Sequence, residues 1–514
     1  MSDGVPPISR PRRVHWLPFP QPPPFSGLGA GILLLLGLGL RLLDLTDPPL
    51  DFHAWRQLRS ATIARGLYCA WWDDADPTLQ ERATELAHFG PLEPPLAEHL
   101  VALTYLAMGG EHLWVARVYS SLAWVIGGLG LWALVIRFVS PRAALVSLGF
   151  YLFLPFGVVA SRSFQPDPYM VMWIVLAAWG FYRWRETGAW CWAVASGLLA
   201  GIAILTKVFA FFPLAAAALG LHWARPGLRR AAADPQTWLI AALAGTIPAW
   251  YYFISIPGEA TSYVTGWVAA FSGLLLDPMF YLRWAAAVHR SIGLPFVLGG
   301  FVGLLVMPRA ARGVTLGLWI GYGLIGLSVP SLILSHSYYH LPMVPIVAIP
   351  LGSLADRVLK SPLLSRPAWK ALAWTGMIIA FGVGGWISAR RLFSEDYRLE
   401  PLIWQRVGES LPKDGSIIGL THDYNTRLRY YGWTDVAQWP HAKDFQMGVL
   451  AGGNYDPDDP AITAEFEWRT QGYSYFLVTL FAELDAQPAL RQVLSRHPSR
   501  EGDGYVIYDL RRFR

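Results

Sequence analysis

The sequence predicts a mostly α-helical, polytopic membrane protein. It has about eleven transmembrane helices, a long first extracytoplasmic loop and a small C-terminal extracytoplasmic α/β domain. Three observations predict it. Of 514 residues, 54% are hydrophobic and 15% charged, where ordinary globular chains carry about a quarter charged residues. The apolar residues gather into runs near the roughly 20 residues that cross a bilayer. Lys and Arg then concentrate in every second connection between those runs.

Taken in order, residues 1–25 are basic and Pro-rich and read as a disordered cytoplasmic leader. The first apolar run, 26–44, contains Arg41 and leads into Asp44, Asp47, Pro48 and Pro49 with no small-residue cleavage site, so it reads as a retained anchor. Further spans are expected at 113–136, 143–160, 168–184, 189–206, 208–224, 237–256, 292–308, 313–334, 341–356 and 371–389, with Lys207 dividing one long apolar run. One set of connections holds Arg10, Arg12 and Arg13; Arg137 and Arg142; Arg183 and Arg185; Arg225, Arg229 and Arg230; Arg309 and Arg312; and Arg357, Lys360, Arg366 and Lys370. The alternate short loops are nearly free of Lys and Arg. The positive-inside rule therefore predicts a multi-pass protein of the inner (plasma) membrane with a cytoplasmic N-terminus, and an odd span count puts the C-terminus outside.

The 26–394 transmembrane unit gives way near Tyr397 to a different composition. Charged, Gly, Pro and Asn residues surround short β-type runs at Ser416–Leu420, Tyr475–Thr479 and Tyr505–Tyr508, with helical patterns around 401–411 and 484–496. Residues 395–514 thus read as a soluble α/β domain. The net charge of +5 follows from the orienting loops. No basic run with interleaved aromatics occurs in a soluble segment, so nucleic acid is not an expected partner. Cys69 and Cys191 fall on opposite sides of the membrane, which excludes a disulfide between them.

Unusual polar groups gather on the predicted outer side. The first outer loop, about 45–112, is too long for a simple connector. It carries Asp51, His53, Arg56 and Gln57, then Glu93 in Leu92-Glu93-Pro94-Pro95. The next outer loop holds Arg162 and, between two prolines, Asp167; Lys207 and the segment His336-Ser337-Tyr338-Tyr339-His340 follow. Each has a plainer reading. Asp51 suits a helix N-cap, and His53, Arg56 and Gln57 at i, i+3 and i+4 suit a solvated face. Asp167 suits a cap or an Arg162 ion pair, Lys207 suits snorkelling to the interface, and the tyrosines suit an aromatic belt. Their shared side favours a site. Cations at an interface bind phosphate, a carboxylate beside them activates an acceptor hydroxyl, and positive charge with hydrogen-bond donors stabilises a departing phosphate.

These segments resemble the GT-C superfamily of multi-pass glycosyltransferases that use polyprenyl- or dolichyl-phosphate sugars. Within it they are most similar to the bacterial relatives of protein O-mannosyltransferases and to the lipid A aminoarabinose transferase. The likeness runs from residue 26 to about 356 and rests on Asp51 with His53, Arg56 and Gln57; on Glu93-Pro94-Pro95-Leu96; on Arg162 with Pro166-Asp167-Pro168; on Lys207 with Pro213; and on His336–Pro342. The resemblance implies Asp51 as catalytic base and Asp167 as a second catalytic carboxylate. It also implies Tyr338 and Tyr339, with Lys207, His336 and His340, on the donor phosphate, where the charge of Arg56 also suits binding. His53, Gln57, Glu93 and Arg162 are supporting residues. One departure is that Pro94 follows Glu93 where the aminoarabinose transferase has a lysine. The expected partners are a polyprenyl-phosphate sugar donor, a glycan, lipid or protein acceptor, and membrane lipids. The chemistry requires no cofactor; Glu93, His53, His99 and His112 are the groups that would hold a divalent metal if one bound. The competing class is a transporter or flippase of lipid-linked or anionic substrates, which calls for charges near the bilayer midplane and interrupted helices in an inverted repeat.

Overall fold

The structure is a computed structural model, described here for residues 24–72, 76–90, 92–223, 227–450 and 462–511. The expected leader, with Arg10, Arg12 and Arg13, lies outside the described residues apart from its last two positions, and so does Arg225.

Helix α1 (Pro24–Arg41) coincides with the first apolar run. The connection that follows it is far from irregular. It folds into α2 (Ala54–Trp71), α3 (Pro77–Leu86) and α4 (Leu96–Met108). Helix α5 (Trp114–Phe138) is the next long apolar helix, and α6 (Pro141–Phe153) with α7 (Pro155–Ser161) covers the run after it. These two meet at a 62° bend, where Pro155 lacks the N–H that would continue the ladder. Helices α8 (Asp167–Thr187) and α9 (Trp190–Thr206) follow, then α10 (Phe211–Trp223), α11 (Leu228–Ala233) and α12 (Pro235–Trp250).

Beyond these come α13 (Pro257–Tyr263), α14 (Pro278–Ser291), α15 (Leu294–Val306) and α16 (Arg309–Ser328). Then α17 (Pro330–Ser335), α18 (Met343–Leu359) and α19 (Pro367–Ser394) complete the helical part. Every apolar run read from the sequence overlies a helix. By length and composition four helices among the described residues suffice to cross a membrane, or up to six if each bent pair is one span. Others are shorter because they break at polar or proline-bearing turns. Lys207, for instance, is extended (φ −159°, ψ 121°) directly after α9.

Helices α10 and α16 pack backbone to backbone. A Cβ placed on Gly313, Gly317 or Gly321 would overlap Gly220, Ala216 or Pro213 respectively, so a small residue every fourth position sets that approach.

The C-terminal part contains α20 (Glu400–Ser410), α21 (Thr426–Tyr431), α22 (Ala442–Leu450), α23 (Ile462–Arg469), α24 (Phe481–Asp485) and α25 (Pro488–Leu494). They surround strands β1 (Ile417–Leu420), β2 (Ala437–Gln438), β3 (Tyr475–Val478), β4 (Ser499–Gly502) and β5 (Tyr505–Asp509). The sheet order is β2-β1-β3-β5-β4; β1 runs parallel to β2 and β3, while β5 is antiparallel to β3 and β4. Phe476 pairs with Ile418 and Tyr508 in register, and the buried Trp439 packs over it.

This unit docks on α2. Arg65 Nη1 donates to the Tyr430 carbonyl (2.5 Å) and its fork grips Glu111 (2.6 and 3.0 Å), which also accepts from the Tyr430 hydroxyl at 3.0 Å. Arg398 pairs with Asp44, and the Tyr397 N–H donates to Asp47 at 2.9 Å. The C-terminal unit therefore stands against α2, the helix that carries Arg56.

Candidate active site

The expected polar groups converge at one end of the helical part, and they form two connected arms. The first arm is built on α2 and the turns facing it. Arg56, in the first turn of α2, donates to Glu93 Oε1 at 2.8 Å. Lys207 leaves the end of α9 and turns inward, placing Nζ 2.9 Å from Asp167 Oδ1 and 4.0 Å from Glu93 Oε1. Its ammonium also lies 4.5 Å and 4.7 Å from the ring centres of Tyr338 and Tyr339, within cation–π range. Tyr339 is met by the Tyr263 hydroxyl at 3.3 Å.

Two plainer readings end here. Lys207 is only 3% exposed, so it does not snorkel. Asp167 makes no cap bond at the start of α8 and pairs with Lys207, not with Arg162. Its second oxygen, Oδ2, is buried without a hydrogen-bond partner among the described residues.

The second arm holds Asp51. The helix begins at Ala54 with His53 at its cap position, in the left-handed region (φ 47°), so Asp51 is not the N-cap. Its Oδ1 instead forms an ion pair with Arg117 Nη2 at 3.0 Å and accepts from Gln57 Nε2 at 3.1 Å. Gln57 has a stitching role. The same Nε2 donates to the Phe52 carbonyl at 2.9 Å, while Oε1 accepts the Phe164 N–H at 3.0 Å. It thereby ties the Asp51 turn to the Arg162–Asp167 turn. Arg162 belongs to this arm as well, donating to the Asp44 carbonyl at 3.0 Å.

His53 joins the arms. Its Nε2 lies 2.9 Å from Ser337 Oγ, and its ring stacks on His336 at 5.9 Å and meets Tyr338 edge-on at 4.9 Å. Burial, reinforced by the charges of Arg56 and Lys207, pushes the His53 imidazole down to about 4. Burial together with His53 and Lys207 pushes His336 down to about 3. Both rings are therefore neutral near pH 7 and offer hydrogen bonds without charge. Burial works against the Glu93 carboxylate, but Arg56 and Lys207 hold it below the usual carboxylate range.

His340 is not brought into the cluster. Its Nδ1 is 2.7 Å from the Tyr322 hydroxyl, which accepts from Trp284 Nε1 at 3.0 Å, so it faces α14 and α16. Its position two residues from Tyr338 gives no hint of this, because a tight turn sends neighbouring side chains apart. Arg117 was missed, although a lone arginine in the first turn of a long apolar helix is a signal in itself. Tyr263 had no local signature.

The side chains named for a metal are apart. Glu93 is engaged by Arg56, the His99 ring nitrogen lies 2.6 Å from the Pro95 carbonyl, and the His112 ring lies by Trp114. Among the described residues no group of three His, Cys, Asp or Glu side chains is placed to hold an ion. In chemical terms, the cluster offers a carboxylate with one oxygen engaged, two cations beside two tyrosines, and two neutral imidazoles.

Comparison with known proteins gives a consistent picture. The family model described as dolichyl-phosphate-mannose-protein mannosyltransferase matches residues 92–252. The fold is similar to ArnT from Cupriavidus metallidurans bound to undecaprenyl phosphate, at 17% identity and a TM-score of 0.54, covering 94% of this chain and 97% of that one. It is also similar to the oligosaccharyltransferase AglB from Archaeoglobus fulgidus in complex with an inhibitory peptide and a dolichol-phosphate. There the identity is 12% and the TM-score 0.58, covering 88% of this chain and 69% of that one. No curated protein sequence matches the chain.

Proposed function

From the premise that this chain has the fold of the GT-C superfamily of polyprenyl-phosphate-dependent glycosyltransferases, we propose that it is an integral membrane glycosyltransferase. It moves a sugar from a polyprenyl-phosphate carrier to an acceptor on the outer face of the membrane. The observation that carries this reading is the convergence of Arg56, Glu93, Asp167, Lys207, Tyr338 and Tyr339 from segments far apart in the chain, with Asp51 bonded to Gln57, the neighbour of Arg56 on α2. The ArnT structure holds undecaprenyl phosphate and the AglB structure a dolichol-phosphate, which supports a lipid phosphate as the carrier here.

In the proposed reaction Asp51 takes the proton of an acceptor hydroxyl. Both of its described contacts are on Oδ1, which leaves Oδ2 for that proton. The acceptor oxygen attacks the anomeric carbon from the side opposite the phosphate, and the bond from that carbon to the phosphate oxygen breaks. The electron pair leaves with the lipid phosphate, and the sugar's configuration inverts. Lys207, Arg56, Tyr338 and Tyr339 hold the departing phosphate, with His336 and His53 as neutral donors at its edge. Asp167 and Glu93 keep the two cations in place. The proposed step requires no metal. Pro94 follows Glu93, and Arg56 and Lys207 both approach that carboxylate, so positive charge at Glu93 comes from elsewhere in the chain.

The test is purification with native lipids, mass spectrometry of the bound polyprenyl-phosphate sugar, and single-turnover transfer from it. Asp51→Asn is expected to lower turnover by at least about 100-fold, the scale of a lost general base, with donor still bound. Near-normal turnover in that variant would remove Asp51 from the base role.

A further inference from the structure

The cations of the transfer site are already compensated. Arg56 is paired with Glu93, Lys207 with Asp167, and Arg117 with Asp51. Arg59, the next basic group along α2, donates to the Gly90 carbonyl at 2.8 Å and lies over the Phe89 ring. A departing phosphate monoester carries a charge of about −1.5 to −2 near neutral pH, so the one charge these contacts leave without a carboxylate, that of Arg59, does not match it.

One exposed cation approaches from the C-terminal sheet unit. Lys443, on α22, holds its ammonium 5.1 Å from the ring centre of Tyr424. That ring meets Trp55 edge-on at 6.4 Å, and Trp55 in turn lies 5.4 Å from the guanidinium of Arg56. Burial is the main cause of the lowered pKa of His53 and His336; Lys443 adds the smallest push among the cations at each, and Asp423 opposes it at His53. Lys443 has no ion pair among the described residues.

The loop that sets Tyr424 is unusual. Asp423, Tyr424 and Asn425 take φ of 48°, 54° and 70° in succession, a left-handed run that non-glycine residues keep only where the surroundings hold it. It follows the carboxyl end of β1, beside the parallel neighbour β3, where open sheets bind ligands. His441 stacks on Tyr424 at 4.4 Å and is 6% exposed, with Nε2 unpartnered among the described residues. The strained loop and α22 thus hold Lys443 beside Tyr424, two ring contacts away from Arg56.

We propose that Lys443 is an anion-binding residue of the transfer site, supplied by the C-terminal α/β unit as the countercharge for the donor lipid's phosphate. This rests on the lipid-phosphate reading of the site. The C-terminal unit is then part of the binding machinery, and its docking through Arg65 and Arg398 is a condition for full affinity.

The experiment uses the full-length protein in detergent micelles with undecaprenyl phosphate as the probe. Lys443→Ala should weaken binding about fivefold, the effect of one surface cation on an anionic lipid. Lys443→Glu should weaken it further and Lys443→Arg should restore it. The salt dependence of binding should be shallower in Lys443→Ala, a change that a merely structural role would not cause. Thermal unfolding should be unchanged in all three. Equal affinity of wild type, Lys443→Ala and Lys443→Glu would overturn the proposal while leaving the lipid-phosphate reading intact. Failure of the wild-type protein to bind the probe would overturn both.

Discussion

Lys207 and Asp167 show how much a single residue's setting changes its meaning. Taken alone in an apolar run, the lysine reads as an interfacial snorkel; folded, it is buried against a buried carboxylate at 2.9 Å. Breaking such a pair from one side strands a charge and costs about 3–5 kcal/mol, whereas replacing both partners is often close to neutral. Lys207→Met is therefore expected to destabilise the protein by about that amount, and Asp167→Asn added to it should recover most of the loss. Unfolding titrations in mixed micelles measure both. If the double variant were as unstable as Lys207→Met, the ion pair would not be what holds this turn. Asp51 carries a related lesson. Two prolines ahead of it suggest a cap, but the cap position falls to His53 and Asp51 is gripped by Arg117 and Gln57. The chemical types at the site were legible; their pairings were not, because each partner lies dozens to hundreds of positions away.

At the scale of elements, apolar length is a strong signal and short polar strands are a weak one. All the expected spans coincide with helices, and β1, β3 and β5 fall on the expected β-type runs. Strand β2 has two residues and β4 is Ser-Arg-Glu-Gly, exposed throughout, so neither shows alternation or an apolar run. Helix α4 was hidden inside a presumed loop because its 13 residues are too few for a span. The packing of α10 on α16 makes a sharp prediction. Gly317→Ala would put a methyl group into the Ala216 carbonyl and should cost about 1–3 kcal/mol. Gly323→Ala, on the same helix with nothing within 4 Å of its Cβ, should change stability by no more than about 0.5 kcal/mol. Melting temperatures of the two variants in detergent decide it, and equal shifts would show that the close approach is not sustained in the folded protein.

For the whole molecule, the charge-sorted loops and the docked sheet unit make one joint claim, that the sheet and the site lie on the outer side. Cys69 is buried and Cys191 exposed, so a Cys191→Ser background leaves little reactive thiol. In that background Ser495→Cys, exposed beyond α25, should react with an impermeant maleimide in intact spheroplasts, and Ser365→Cys, exposed between α18 and α19, should react only after permeabilisation. The reverse pattern would invert the topology and with it the side on which transfer occurs. By itself the sequence determined the helical membrane class, the alternation of basic loops and the kinds of polar group at the candidate site, since these depend on local composition and on the cost of burying charge in lipid. Only the tertiary structure decided that Arg56 answers Glu93, that Lys207 answers Asp167, that His340 turns away and that Lys443 lies against Tyr424. Those outcomes depend on where helix breaks and the docked sheet bring distant side chains, and no local pattern encodes that distance.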